Sequence, residues 1–153
     1  MAGRFFQVVD KKFMMFPNVE TILPKRADNG SACYDFYAKE DIILNPGDTI
    51  TTYSDVKACF PNTEVLLVFA RSGLGIKKRT TLTNDTGVID SSHYGNPVNG
   101  GNIGIALVNE SDSIVRINKG ERVCQGLFTF ALFTNDDEVI HNERLEGMGS
   151  SNR

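Results

Sequence analysis

The sequence predicts an all-β protein, a sandwich or a closed barrel. Three observations predict it. Apolar residues fall in short runs, many of them alternating with polar ones. No stretch keeps a helical period for long. Strong turn signals separate the runs at close spacing.

Residues 5–9 form the first predicted strand, stopped by the charged Asp10, Lys11 and Lys12. Residues 34–37 form the next. Strands 41–44 and 48–52 flank Asn45-Pro46-Gly47, where proline presets φ and glycine can take the left-handed region. Strands 56–59 and 64–70 flank Pro61-Asn62. One short helix is expected at residues 72–77, with Ser72 able to cap its first turn. Strands 80–82 and 102–108 follow, with the Gly95-Asn96-Pro97 turn between them. Strands 114–117 and 122–133 flank Asn118-Lys119-Gly120. Residues 143–153 carry glycine and serine but little apolar content, which is expected of a mobile tail. The expected division is therefore a β-domain over residues 1–142 and a flexible arm over 143–153.

A chain of 153 residues favours one domain and can bury its own core. Its net charge is -3, from 16 basic and 19 acidic residues, so it lacks the basic excess of a nucleic-acid binder. A single nucleotide needs only a few placed cations and is not excluded. Cys33, Cys59 and Cys124 are odd in number and far apart, which argues against a disulfide framework or a zinc site. Free thiols fit a cytoplasmic protein. The first sixteen residues are partly apolar but interrupted by charge, so neither a signal peptide nor a membrane span is expected there.

Five segments carry chemistry: Ser31-Ala32-Cys33-Tyr34-Asp35-Phe36; Ala70-Arg71-Ser72-Gly73-Leu74; Asn84-Asp85-Thr86-Gly87-Val88-Ile89-Asp90 with His93-Tyr94-Gly95; Lys119-Gly120-Glu121-Arg122-Val123-Cys124-Gln125; and Arg144-Leu145-Glu146-Gly147-Met148-Gly149-Ser150-Ser151. Alone, each has a plainer reading. Arg71-Ser72-Gly73 is a turn with a surface charge. Gly87-Val88-Ile89-Asp90 is a buried strand ending at an aspartate. Gly120-Glu121-Arg122 is a hairpin turn, and the tail is disorder.

Together they converge on a polyanion. Arg71, Arg122 and Arg144 are cations suited to phosphate. Ser72 and Gln125 add neutral donors, and a glycine-rich tail can offer backbone N–H groups to an anion. Asp35 and Asp90 are isolated carboxylates, one suited to a metal or an arginine and the other to a proton. No nucleophile elbow or Walker-type lysine loop is present, so hydrolysis would use water directly.

In order and spacing, the five segments resemble the five motifs of the trimeric dUTP diphosphatases, over residues 23–151. The resemblance implies a jelly-roll-like β subunit in a homotrimer, with active sites at the interfaces and each closed by a C-terminal arm from another subunit. It implies dUTP as substrate and its hydrolysis to dUMP and pyrophosphate, which keeps uracil out of DNA. It also implies Mg2+ held by the triphosphate and waters with no direct protein ligand, as suits an ion that keeps several waters.

Carried over by motif, the resemblance gives Asp90 the role of general base toward the attacking water. Arg71, Ser72, Gly73 and Gln125 fall to the phosphates, as do Arg144, Gly149 and Ser150 from the arm. Asn84, Gly87, Val88 and Ile89 fall to the uracil, with the hairpin over residues 91–102 and Asn102 and Ile103 at its end. His93 stands where the family usually has a tyrosine against the deoxyribose, with Tyr94 as its substitute if the register slips by one. Asp35 supports the site near metal and arginine, and Arg122 braces the structure by pairing with an acid. Met148 takes the place of an aromatic over the uracil. Cys33 and Cys124 are read as buried packing. Stable nucleic-acid or membrane binding is not implied.

Three rivals remain at this point. A dCTP deaminase would need a glutamate in the hairpin, which Gly87–Asn96 lacks. A weakly catalytic relative that binds a regulatory protein is suggested by the unusual fifth segment. A lectin-like jelly roll leaves the arginines unexplained.

Overall fold

The computed structural model describes residues 3–139, whose regular elements are mostly antiparallel strands. These are β1 (Phe5–Val8), β2 (Tyr34–Tyr37), β3 (Ile42–Leu44), β4 (Thr49–Tyr53), β5 (Val56–Cys59), β6 (Glu64–Ala70), β7 (Thr80–Leu82), β8 (Thr86–Asp90), β9 (Gly104–Asn109), β10 (Val115–Ile117) and β11 (Arg122–Phe130), with one α-helix, α1 (Ser72–Lys78), and short 3-10 turns at Lys11–Phe13 and Ser91–His93. No helix among the described residues is long and apolar enough to cross a membrane.

The strands form a four-stranded sheet β2-β11-β6-β8, a three-stranded sheet β4-β9-β7, and the pairs β1-β5 and β3-β10. Alternation along each strand sends one side chain in and the next out. Phe36, Leu66, Val68, Ile105, Leu107, Val115 and Ile117 point into one shared core, each at most 4% exposed. Gly126 is glycine because a Cβ there would lie 2.9 Å from Leu66 and 3.0 Å from Phe36.

The four-stranded sheet has a second face. Directly paired residues share a face, so Gln125 opposite Asp35 and Phe69, and Val65 opposite Asp90, stand on the side away from the core. Val65, Leu67, Phe69, Leu127 and Val88 share that side, and none of them is buried. A regular strand would turn Arg122 to the other face from Gln125, three residues on. A bulge between Arg122 and Cys124 restores it, pairing Arg122 with Tyr37 on the face of Asp35.

The predicted elements hold with small shifts of boundary, and four differences are physical. A strand at residues 86–90 is one of the two readings of its segment, and there a buried one; the strand exists, but Val88 is 60% exposed because its side chain stands on the sheet face away from the core. The last strand stops at Phe130, not residue 133; after Ala131 N–H donates to Thr63 O the chain leaves the ladder, and Leu132 and Phe133 are exposed. Ser72 does not cap α1: Arg71 is the extended cap residue, and the helix ends at Arg79 in the left-handed region with φ 47°. Cys124 is fully buried as read, whereas Cys33 is partly exposed and lines a cavity.

Candidate active site

The first, second and fourth segments meet at one end of the four-stranded sheet. Asp35 lies on β2, Arg122 and Gln125 on β11, and Arg71 at the junction of β6 and α1. Arg71 Nε donates to Asp35 Oδ1 at 2.8 Å, and Arg122 Nη1 donates to Asp35 Oδ2 at 3.2 Å. One nearly buried carboxylate thus orients two guanidinium groups, whose fixed fork geometry suits phosphate. Gln125 Nε2 donates to Ala70 O at 3.3 Å. These four side chains, with Ser31, Ala32 and Cys33, line an open cavity of about 230 Å³. Burial, and then the Asp35 charge, raise the Cys33 pKa, so its thiol stays protonated beside the arginines. Ser72 and Gly73 follow Arg71 in the first turn of α1, with the Ser72 side chain exposed.

The third segment builds a separate cavity of about 330 Å³, lined by Asn84, Gly87, Val88, Ile89, Asp90 and His93 on one side and by Thr51, Gly104, Ile105 and Ala106 on the other. β8 pairs only with β6 among the described residues, so its other edge presents unladdered N–H and C=O groups. An amide, an imidazole, a carboxylate and an open strand edge therefore share one recess. No local pattern points to Thr51 or Ala106, whose place follows from how two sheets approach each other.

Between His93 and Tyr94 the fold decides. His93 is buried and lines the cavity. Tyr94 turns outward: its hydroxyl donates to Gln7 Oε1 at 2.8 Å, its ring meets Phe5 edge-on, and Lys57 Nζ sits 5.2 Å from its centroid. Two further expected contacts also stand outside the lining. Ile103 is wholly in the core, and the Asn102 amide is occupied by Asp55 and Phe13 O. Arg144, Met148, Gly149 and Ser150 lie outside the described residues.

The two cavities share no lining residue. Asp90 pairs with Val65 at the start of β6, whereas Arg71 follows Ala70 at its end. Six residues of strand, at about 3.3 Å each, separate the two ends by about 20 Å.

Three comparisons bear on this arrangement. The sequence matches the dUTPase family profile over residues 19–152. It is 38% identical over 152 residues to the deoxyuridine 5'-triphosphate nucleotidohydrolase of Lactococcus lactis, covering 99% of each chain. Its fold matches the dUTPase of Streptococcus mutans with a TM-score of 0.73 and 35% identity, over 85% of this chain and 98% of that one. It also matches the dUTPase of Staphylococcus bacteriophage 80alpha, in a G164S mutant with dUpNHpp, at a TM-score of 0.69 over 97% and 94% of the two chains. At 22% identity, that likeness concerns the fold alone. With a profile match across most of its length and a relative matched end to end, the chain belongs to the dUTPase family, the deoxyuridine 5'-triphosphate nucleotidohydrolases.

Proposed function

We propose that the protein hydrolyses dUTP to dUMP and pyrophosphate in the presence of Mg2+. The observation that carries this reading is the convergence of Asp90, Asn84 and His93 on one recess beside the open edge of β8. Asp90 accepts the proton of a water aimed at the α-phosphorus, a role open to an exposed carboxylate of suitable geometry. Asn84 and the main chain of residues 87–89 take the uracil edge, and His93 packs on the deoxyribose. A base with a mismatched polar edge leaves buried groups unpaired and is rejected.

Arg71, Gln125, Ser72 and Gly73 hold the phosphates, with Asp35 orienting Arg71 and Arg122 bracing Asp35. Among the described residues no group of three or more His, Cys, Asp or Glu could hold a metal. Asp35 is taken up by two arginines. This donor set fits an ion bound chiefly by phosphate oxygens and water, with Arg71 and Gln125 holding the anion. Mg2+ supplies charge neutralisation on the triphosphate and its leaving group.

Asp90 stands at one end of the uncovered apolar face, and Asp35, Arg122 and Gln125 stand at the other. Within one chain Asp90 and Arg71 are about 20 Å apart, so a working site would take them from two copies, one laid over that face of the other. This supports a homotrimer with shared sites, closed by the arm over residues 143–153 through Arg144, Gly149, Ser150 and Met148. Unpaired thiols at Cys33, Cys59 and Cys124 suit the reducing cytoplasm.

The test is a pyrophosphate-release assay with Mg2+ and dUTP, dCTP, dTTP or UTP. Turnover of dUTP alone is expected. Ammonia from dCTP would point to a deaminase, and tight dUTP binding without turnover to a regulatory module.

A further inference from the structure

Asp55 is fully buried, between β4 and β5, with a left-handed φ of 56°. That backbone region disfavours side chains with a Cβ, and glycine is the cheap occupant. Local strain of this kind persists only where the surroundings over-determine it. Here they do. Met15 N–H donates to Oδ1 at 2.8 Å and Phe16 N–H to Oδ2 at 3.1 Å. Asn102 Nδ2 donates to Oδ1 at 3.0 Å, and the buried Lys39 ammonium lies 3.6 Å from Oδ2. Asp55 N–H returns a bond to Asn102 Oδ1 at 3.0 Å, so the two residues are clamped in both directions.

Asn102 closes the loop that carries His93. Its carbonyl lies 3.4 Å from His93 Nε2, which acts as the donor because a carbonyl only accepts. The loop is tight behind that contact: Gly101 has φ +82°, and a Cβ there would lie 2.6 Å from His93 O. The N-terminal segment grips the loop from outside. Asn102 Nδ2 donates to Phe13 O at 3.0 Å, Phe13 fills the space beside Gly100, and Gln7 and Phe5 hold Tyr94.

We infer that Asp55 is a positioning residue for His93, acting through Asn102, and that the N-terminal segment from Phe5 to Phe16 is the strap that fixes this loop. Asp55 touches no ligand. It joins Met15, Phe16, Lys39 and Asn102 at one buried point, so the imidazole is presented to the recess at one fixed height. The consequence is selectivity for deoxyribose over ribose, since a 2′-hydroxyl is refused only by a wall that does not yield. The inference rests on the proposed packing of His93 against the sugar.

The test compares kcat/KM for dUTP and for UTP in the full-length protein with Mg2+, in Asp55→Ala, Asp55→Asn, Phe13→Ala and His93→Ala. Asp55→Ala is expected to lower the dUTP-to-UTP ratio by about tenfold, with kcat for dUTP within about threefold of the parent. Asp55→Asn keeps one carbonyl acceptor and is expected to recover part of the ratio. If Asp55→Ala does not fold, Phe13→Ala carries the same expectation with the Asp55 carboxylate intact. A lowered melting temperature with the ratio unchanged would make Asp55 merely structural and overturn the inference. A ratio that collapses in His93→Ala but holds in the Asp55 and Phe13 variants overturns the inference alone. A ratio that holds in His93→Ala as well sinks the sugar role of His93, and this inference with it.

Discussion

Asp35 and Arg71 meet through one donor, Nε on Oδ1 at 2.8 Å, and both residues line the cavity with Arg122 and Gln125. The arrangement is not a surface ion pair of small worth. Asp35 is 6% exposed and has a second arginine on its other oxygen. Its charge fixes the direction in which Arg71 points. Asp35→Asn should lower kcat/KM for dUTP by about a hundredfold, the scale of a small misplacement of a binding group. Arg71→Ala should cost at least as much, and the double variant little more, because the residues act as a unit. Additive losses in steady-state kinetics would separate them.

Asp90→Asn keeps the volume and removes the base. Hydrolysis should fall by at least about a thousandfold, within the range of general-base contributions. Binding of a non-hydrolysable dUTP analogue, followed by calorimetry, should change less than about threefold, since the predicted contact is with water. Rates like those of the parent would remove Asp90 from the mechanism.

The separation of Asp90 from Arg71 along β6 gives a mixing experiment. Asp90→Asn and Arg71→Ala subunits should each be inactive alone. Unfolded and refolded together at equal amounts, they should regain about a quarter of parental activity, because a cyclic interface pairs an intact Asp90 with an intact Arg71 at that frequency. No recovery would place both residues of a working site in one subunit.

Deletion of residues after Glu143 should lower turnover by at least about tenfold, the loss expected when a closing element is removed. The circular dichroism spectrum and melting temperature should stay unchanged, because the core ends with β11. An undiminished rate would show that the arm closes nothing.

Cys124 gives a pH dependence. Burial first, and then Asp35, push its pKa far above the ordinary 9.0. The folded state holds this proton after the unfolded state has lost it. The stabilisation is thus full below pH 9.0 and declines as pH rises above it. Urea unfolding should show stability falling as pH rises above 9.0, with the slope that one thiol proton contributes. Cys124→Ala should lessen the slope by that amount, at a cavity cost of about 1 kcal/mol at neutral pH.

Alternation and turn chemistry are local, so the strands and most of their ends could be read from residues such as Asn45-Pro46-Gly47 and the runs around Phe36 and Leu66. The site was legible only as residue types in order: Arg71 and Gln125 suit an anion, Asp35 and Asp90 are isolated carboxylates, and their separate roles are what the resemblance to the dUTP diphosphatases implies. What the sequence could not decide was which side of a strand each residue would take once a bulge intervened, as at Arg122, or which of two neighbours would face the recess, as with His93 and Tyr94. Nor could it show that Asp55 lies at the junction of four segments, or that Asp90 and Arg71 stand at opposite ends of one sheet. Those facts depend on register and on packing between residues far apart in the chain, and no local pattern encodes them.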